Sequence, residues 1–172
     1  IPSVVRNDAN VSFDWGRSAP ASGVPADGFS ARWTRTLWFE EGLYRFHAVV
    51  DDGVRLYVDE SLVVDSWQDG GRRELTGDRR LGTGNHAMRV EYYERTGEAL
   101  IQVWWEKLAS YPDWKGEYWS NRTLSGSPAL TRNDTTIDFA WGNSGPAAGI
   151  PADGFSARWT RNADFDAATY RF

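Results

Sequence analysis

Cysteine is absent from the 172 residues, and the chain has only two histidines and one methionine. Without cysteine the protein can form neither a disulfide nor a zinc site with thiolate ligands. The two histidines, His47 and His86, lie far apart in the sequence and lack the carboxylate spacing typical of transition-metal sites. These absences exclude thiol chemistry and argue against a transition-metal centre.

Lysine is also scarce, since only Lys107 and Lys115 occur, and the formal net charge is -5. The sequence has no basic run that could neutralise a series of phosphates. It also has no stretch approaching about eighteen consecutive apolar residues, the length that a membrane-spanning helix needs. We therefore expect neither nucleic acid as a partner nor insertion into a membrane.

The common catalytic signatures are missing as well. The chain contains no G-x-S-x-G, no G-x-x-x-x-G-K and no H-E-x-x-H, so the usual acyl-transfer, phosphate-loop and zinc-protease sites are not predicted. A glycosidase needs only two carboxylates, but 24 acidic residues produce close pairs by chance. We expect a protein without catalytic activity of its own.

Aromatic residues are abundant, at 15% of the chain with ten tryptophans, and they cluster in short alternating segments. In Leu43–Val50 the apolar residues include Tyr44 and Phe46 on one face, with Arg45 and His47 on the other, which predicts a half-buried strand. Similar segments are Phe29–Thr34, Val54–Val58, Leu62–Trp67, His86–Tyr93 and Leu100–Trp105. No window has sustained helical spacing, so the sequence predicts an all-β, antiparallel sandwich or barrel.

Two turn sequences separate these predicted strands. Asp51-Asp52-Gly53 lies between two of them, and Asp-Gly is favoured in tight hairpins because the turn positions take positive φ. Asp59-Glu60-Ser61 is predicted to form the next turn. Both segments are expected to connect neighbouring antiparallel strands.

The chain also repeats itself. The segment that starts at Asp8 returns from Asp134, so that residue n matches residue n + 126, and about 26 of the 46 pairs between 1–46 and 127–172 are identical. A period of this length fits a small domain rather than a solenoid unit. We expect one nearly complete copy at 1–110 that lacks its first strand, and the first part of a second copy at 111–172.

This arrangement predicts that the chain is a piece of a larger protein with tandem copies. An unpaired sheet edge is a template for another strand, and 1–110 lacks a strand that 111–126 contains. We therefore expect 111–126 to be able to complete the first copy, in the same molecule or in a domain-swapped oligomer.

Several phrases together resemble the protective-antigen-type, or PA14, domain family. They are Trp114–Trp119, Arg6–Asp8, Phe13–Gly16, Pro25–Thr34, Tyr44–Asp59, Leu62–Trp67 and the closing hairpin His86–Trp105. The resemblance covers nearly the whole chain. It implies a lectin-like β-sandwich module of extracellular or cell-surface proteins, usually glycan-binding and not catalytic. The alternative is a structural spacer or protein-interaction module that binds no ligand.

The resemblance also implies a calcium site. In lectin members of the family two adjacent aspartates, joined by a cis peptide, bind calcium together with an Asn and backbone carbonyls of the closing loop. The aspartates match Asp51 and Asp52, and the loop matches Glu94–Glu98, in which Arg95, Thr96, Gly97 and Glu98 are the candidate ligand-binding residues. Arg95 or Thr96 occupies the position of the expected Asn. The alternative is therefore that Asp51 and Asp52 form a hairpin turn that binds no metal.

Sugar recognition commonly adds an aromatic platform to such a site. Trp67 is the predicted ligand-binding aromatic residue, with Trp38 and Tyr57 as further candidates beside turns. Most of the other tryptophans, including Trp33, are predicted to pack in the core.

Overall fold

The computed structural model describes residues 1–171, so Phe172, the last residue of the predicted second copy, lies outside it. The chain divides into two compact units, Ile1–Ala109 and Ser110–Phe172. Within the described range there are eleven strands and no helix, and hence no helix that could cross a membrane. The first unit contains β1 (Ser12–Gly16), β2 (Phe29–Phe39), β3 (Gly42–Asp51), β4 (Gly53–Val58), β5 (Ser61–Ser66), β6 (Arg73–Leu81), β7 (Gly84–Glu94) and β8 (Ala99–Lys107). The second contains β9 (Trp114–Trp119), β10 (Leu130–Asp134) and β11 (Ser156–Thr160).

The first unit is a sandwich of two four-stranded antiparallel sheets. The first sheet has the strand order β1-β8-β3-β6, and the second has the order β2-β7-β4-β5. Alternating apolar side chains from both sheets fill the space between them, as expected for half-buried strands. The central members are Phe46, Ala48 and Val50 of β3, Val54, Leu56 and Val58 of β4, and Val90 and Tyr92 of β7. The predicted all-β sandwich is confirmed.

Asp59 and Glu60 form a true hairpin turn between β4 and β5, as predicted. Both residues have positive φ, 49° and 59°, which is the backbone pattern that matches the twist of a two-residue hairpin. The strands on either side pair in antiparallel register.

The prediction of a hairpin at Asp51-Asp52-Gly53 is wrong. β3 belongs to the first sheet and β4 to the second, so these residues form a corner that crosses the sandwich. The predicted closing hairpin is a corner too, because β7 and β8 also lie in different sheets. The alternating pattern is the same for a strand that turns back in its own sheet and for one that changes sheets, so the sequence could not distinguish them.

The corners β3–β4, β5–β6 and β7–β8 lie at the same end of the sandwich. Asp51, the last residue of β3, is paired with Leu100 at the start of β8. Gly53, the first residue of β4, is paired with Tyr93 near the end of β7. The β5–β6 corner joins them, because Ser66 at the end of β5 pairs with the start of β4. Three irregular segments therefore meet around Asp51 and Asp52.

The second unit is a three-stranded antiparallel sheet with the order β10-β9-β11. Trp114–Trp119, the strand within the segment predicted to be able to complete the first copy, thus pairs in the structure with two strands of its own unit. The contacts explain this pairing, since Glu117 of β9 lies 2.8 Å from the guanidinium of Arg158. The hydroxyl of Tyr118 donates to Asp134 at 2.5 Å.

We expect Gly77→Ala to destabilise the first unit by about 1–3 kcal/mol, as for other overpacked sites. A β-carbon at Gly77 in β6 would lie 2.0 Å from the carbonyl oxygen of Val63 in β5, so one backbone must move. Urea denaturation measures the loss. The matched control is Gly82→Ala, where an added β-carbon meets no atom within 4 Å; equal losses for the two variants would contradict the prediction.

Candidate functional site

The three corners bring together three carboxylates. Asp51 and Asp52 form the β3–β4 corner, and Glu94 is the last residue of β7, where the β7–β8 corner begins. One oxygen from each of the three lies within 4.8 Å of the others. Of these three, the two aspartates are the metal ligands predicted from the sequence, whereas Glu94 was predicted only as part of the closing loop.

Burial makes this acidic cluster electrostatically unfavourable on its own. Asp52 and Glu94 are buried, and Glu94 is only 1% exposed. Burial, together with the charges of Asp52, Asp51 and Asp27, raises the pKa of Glu94 to about 7. Burial and the charge of Asp52 raise the pKa of Asp51. The site therefore favours either a proton or a cation.

Glu94 has one oxygen with a partner and one without. Its Oε2 accepts a hydrogen bond from the hydroxyl of Tyr92 at 3.1 Å. Burial, and the nearby charge of Glu94, raise the pKa of Tyr92, so this hydroxyl stays a donor. The Oε1 atom is buried and has no hydrogen-bond partner among the described residues, an arrangement that is costly unless a ligand completes it.

Asp52 is held in place by backbone groups from the other two corners. Its Oδ1 accepts from the Gly70 N–H at 2.9 Å, and its Oδ2 accepts from the Arg95 N–H at 2.7 Å. The Asp52 backbone has a φ of 59°, which aspartate tolerates better than most residues. The cis peptide implied by the family resemblance does not occur, because no peptide bond in the described chain is cis. The aspartates are thus a sharp turn and also part of the carboxylate cluster.

Arg73, at the start of β6, fixes the β5–β6 corner against the aspartates. Its guanidinium donates to the Asp52 carbonyl at 2.6 Å and to the Gly70 carbonyl at 2.7 Å. It also reaches the Gln68 carbonyl at 3.0 Å. This role could not be predicted from the sequence, because Arg73 lies in a run of polar residues.

The predicted loop residues, Arg95 to Glu98, differ in their contacts and exposure. The guanidinium of Arg95 pairs with Asp69, so its charge is already engaged by a carboxylate outside the cluster. Thr96 and Glu98 are exposed, and the charge of Glu98 contributes to the raised pKa of Asp51. The Gly97 N–H donates to Asp27 at 3.0 Å.

Trp67 lies on the β5–β6 corner beside the same loop. Its ring contacts Tyr93 edge to face, with 4.8 Å between centroids, and the side chain is 40% exposed. The hydroxyl of Tyr93 donates to Asp69 at 2.7 Å, and Asp69 is also the partner of Arg95. The predicted platform is therefore connected to the predicted loop through Tyr93 and Asp69, two residues that sequence analysis did not identify.

This donor set suits a hard cation. Three carboxylates supply oxygen ligands of the kind that calcium prefers, and calcium completes six to eight ligands with carbonyls, water or other oxygens. The unpartnered Oε1 of Glu94 is the atom that a cation would satisfy. No nitrogen or sulfur ligand belongs to the cluster, so the arrangement does not fit a zinc site.

Comparison with known proteins gives relatives over nearly the whole chain. It is 30% identical over 184 aligned residues to anti-sigma-I factor RsgI3 of Acetivibrio thermocellus, covering 93% of this chain but 28% of that protein. A solved anti-sigma factor domain-containing protein is similar with a TM-score of 0.58 and 28% identity, over 91% of this chain and 61% of that one. A second, from Clostridium clariflavum, has a TM-score of 0.57 and 27% identity, over 92% and 63%.

The chain therefore spans about 28% of the length of its curated relative. A family model described as the PA14 domain matches residues 2–110 and again residues 114–163. The first matched segment includes all three corners. The chain belongs to the PA14 domain family.

Proposed function

We propose that the chain is a carbohydrate-binding, lectin-like module without catalytic activity, in which a calcium ion and an aromatic platform together hold a glycan. The family membership and the carboxylate cluster support this proposal. The observation that carries it is Glu94, whose buried Oε1 has no partner beside two further carboxylates.

Asp51, Asp52 and Glu94 are the residues that would hold the calcium ion. When bound, calcium supplies coordination positions that exchange water for the vicinal hydroxyls of a sugar. Asp52 and Glu94 are buried, and Asp51 adds a half-buried carboxylate beside them, so the cluster favours a divalent cation over water alone. The backbone N–H groups of Gly70 and Arg95 orient Asp52 by bonding its two oxygens.

The surroundings of the cluster fit a sugar ring. Trp67 presents a partly exposed apolar face, and sugar rings commonly stack on such faces through their C–H groups. Tyr93 supports the Trp67 ring from the edge. Arg95 and Asp69 place a donor and an acceptor at the rim of the same corner. A ring that contacts Trp67 would thus meet both polar groups and the ion.

The relatives suggest the larger context. Their names describe anti-sigma factors, and the chain covers only 28% of the curated one. We propose that this module is the ligand-binding part of a larger regulatory protein and lies outside the cell or at its surface, where glycans are available. Neighbouring PA14 copies belong to the same ligand-binding part.

We expect Trp67→Ala to weaken glycan binding at least tenfold while leaving the melting temperature nearly unchanged, because the ring is at the rim and not in the core. Binding is first detected on a polysaccharide array in the presence of calcium and then measured by calorimetry. The matched control is Trp38→Ala. Trp38 is 60% exposed and pairs with Asn85, nine residues before Glu94, about 30 Å away along the strand.

Equal losses for Trp67→Ala and Trp38→Ala would contradict the proposed platform. No glycan bound on the array in calcium-containing buffer would support the structural spacer instead, because a spacer needs no ligand.

A further inference from the structure

A fourth segment reaches the carboxylate cluster, in addition to the three corners. It is the loop between β1 and β2, which ends at Asp27 and Gly28. The next residue, Phe29, pairs with Glu94 at the end of β7. The β1–β2 loop therefore ends directly beside the closing loop, which continues from Glu94.

Two hydrogen bonds join these two loops. The Gly28 N–H donates to the Arg95 carbonyl at 3.1 Å, and this bond continues the ladder between β2 and β7. The Gly97 N–H donates to Oδ1 of Asp27 at 3.0 Å. Because the second bond has a side-chain acceptor and lies beyond the last pair of the ladder, the pairing of the two strands does not require it.

The conformation of the closing loop depends on Gly97. This residue has a φ of 114°, in a region that residues with a side chain rarely adopt. A β-carbon at Gly97 would meet no atom within 4 Å, so glycine is needed here for its backbone conformation and not for space. A carboxylate is a stronger acceptor for a backbone N–H than a neutral group is. Asp27 therefore stabilises an unusual loop conformation through the Gly97 N–H.

The closing loop in turn orients a residue of the cluster. The Arg95 N–H donates to Oδ2 of Asp52 at 2.7 Å, and Gly97 lies two residues further along the same loop. The loop is thus fixed by Asp52 on one side and by Asp27 on the other. A movement of the loop away from Asp27 would displace the N–H group that holds Asp52.

Asp27 also acts on the cluster through its charge. Burial is the main cause of the raised pKa of Glu94, and the charge of Asp27 adds to that of the two aspartates of the cluster. The Asp27 side chain is exposed, and the Gly97 N–H is its one hydrogen-bond partner among the residues that the structure describes. A substitution of Asp27 therefore removes one contact, one charge or both, without opening a cavity in the core.

We propose that Asp27 is a positioning residue of the calcium site, which holds the closing loop against the cluster through the Gly97 N–H. This inference rests on the proposed function, because it requires the three carboxylates to bind calcium. Groups that orient metal ligands from outside the coordination sphere commonly contribute about 10–100-fold to metal affinity. The β1–β2 loop is then a fourth part of the ligand-binding site.

The experiment compares Asp27→Ala with Asp27→Asn in the whole 172-residue chain. Calorimetric titration with calcium chloride measures the affinity, and amide hydrogen exchange of Gly97 in the calcium-free protein measures the contact. Asparagine keeps an acceptor oxygen for the Gly97 N–H, whereas alanine has none. We expect Asp27→Ala to remove the protection of the Gly97 amide and to lower the calcium affinity about tenfold. Asp27→Asn should retain the protection and most of the affinity.

The matched control is Asp153→Ala, at the equivalent position of the repeat, which should change neither measurement. Equal calcium affinities for the two Asp27 variants would mean that the carboxylate acts only through its charge, and would overturn the proposal. Unchanged protection of Gly97 in Asp27→Ala would overturn it as well.

Failure of the proposed function gives a different result. A wild type that binds no calcium would overturn the proposed function, and the positioning role with it, even if Asp27 protects the Gly97 amide. Calcium binding by the wild type that Asp27→Ala leaves unchanged would overturn the positioning role alone.

Discussion

Calcium is expected to raise the melting temperature of the chain by several degrees. Extracellular calcium modules bind with dissociation constants of about 0.1–1 mM, and a ligand present at about 100 times that constant stabilises the folded state by about 2.7 kcal/mol. For a small domain this free energy corresponds to several degrees. Thermal unfolding with and without calcium, followed by calorimetric titration, measures the effect.

The response should depend on pH because of Glu94, whose pKa in the folded protein is about 7. The folded state keeps a proton on Glu94 between the ordinary carboxyl pKa and about 7, where the unfolded state has lost it. Without calcium, this group therefore makes the fold less stable as the pH rises through that window. Calcium displaces the proton, so its affinity should increase up to about pH 7 and its binding should release a proton. Titration in buffers of different ionisation enthalpy detects that proton.

Glu94→Gln is the most informative variant of the cluster. It removes a charge from a buried position without opening a cavity, so the calcium-free protein should be at least as stable at pH 8 as the wild type. Its calcium affinity should nevertheless fall, and the proton release should disappear. Asp51→Asn should likewise weaken calcium binding.

Asp52→Asn has a second consequence, because both Asp52 oxygens accept backbone N–H groups. An asparagine offers only one acceptor oxygen, so this variant should lose stability as well as calcium affinity. No heat and no thermal shift for the wild type up to about ten millimolar calcium, on the affinity scale of extracellular modules, would contradict the proposed calcium site.

Much of the fold could be predicted from the sequence, because half-buried strands alternate visibly. All six segments proposed from this alternation lie largely within observed strands, such as Leu43–Val50 within β3. β6 was missed, since it is an edge strand whose residues are mainly polar or charged and only its last residue, Leu81, is buried. Charged residues protect such edges from further pairing, and they also remove the apolar signal.

The candidate site was only partly predictable, because its residues come from segments that lie far apart in the sequence. Asp51 and Asp52 are adjacent in sequence and match a family motif, whereas Glu94 joins them only because two corners meet at one end of the sandwich. Glu94 was predicted only as a loop residue, but its place two residues after Tyr92 in the alternating β7 puts it on the buried face, and that register could have identified it as a ligand. Arg73 and Asp69 gave no such signal, because they lie in polar segments.

The second large effect is expected from Trp33→Ala, which should destabilise the first unit by about 3–5 kcal/mol, as for other large aromatic residues removed from packed positions. The change removes the stacking of Trp33 on Phe13. It also removes the hydrogen bond from the indole N–H to Asp8, leaving that carboxylate with Arg6 as its side-chain partner. Urea denaturation monitored by circular dichroism measures the loss.

Trp67→Ala is the matched control for Trp33→Ala, since the same type of side chain is removed from a rim position that is 40% exposed. Its ring contacts Tyr93 edge to face and lies under the Arg55 guanidinium, and its exposure means that its loss should cost much less than that of Trp33. If the two variants unfold at the same urea concentration, Trp67 is a packing residue and not a ligand platform. A small loss for Trp33→Ala would mean instead that Phe13 and Asp8 rearrange to fill the space that the indole leaves.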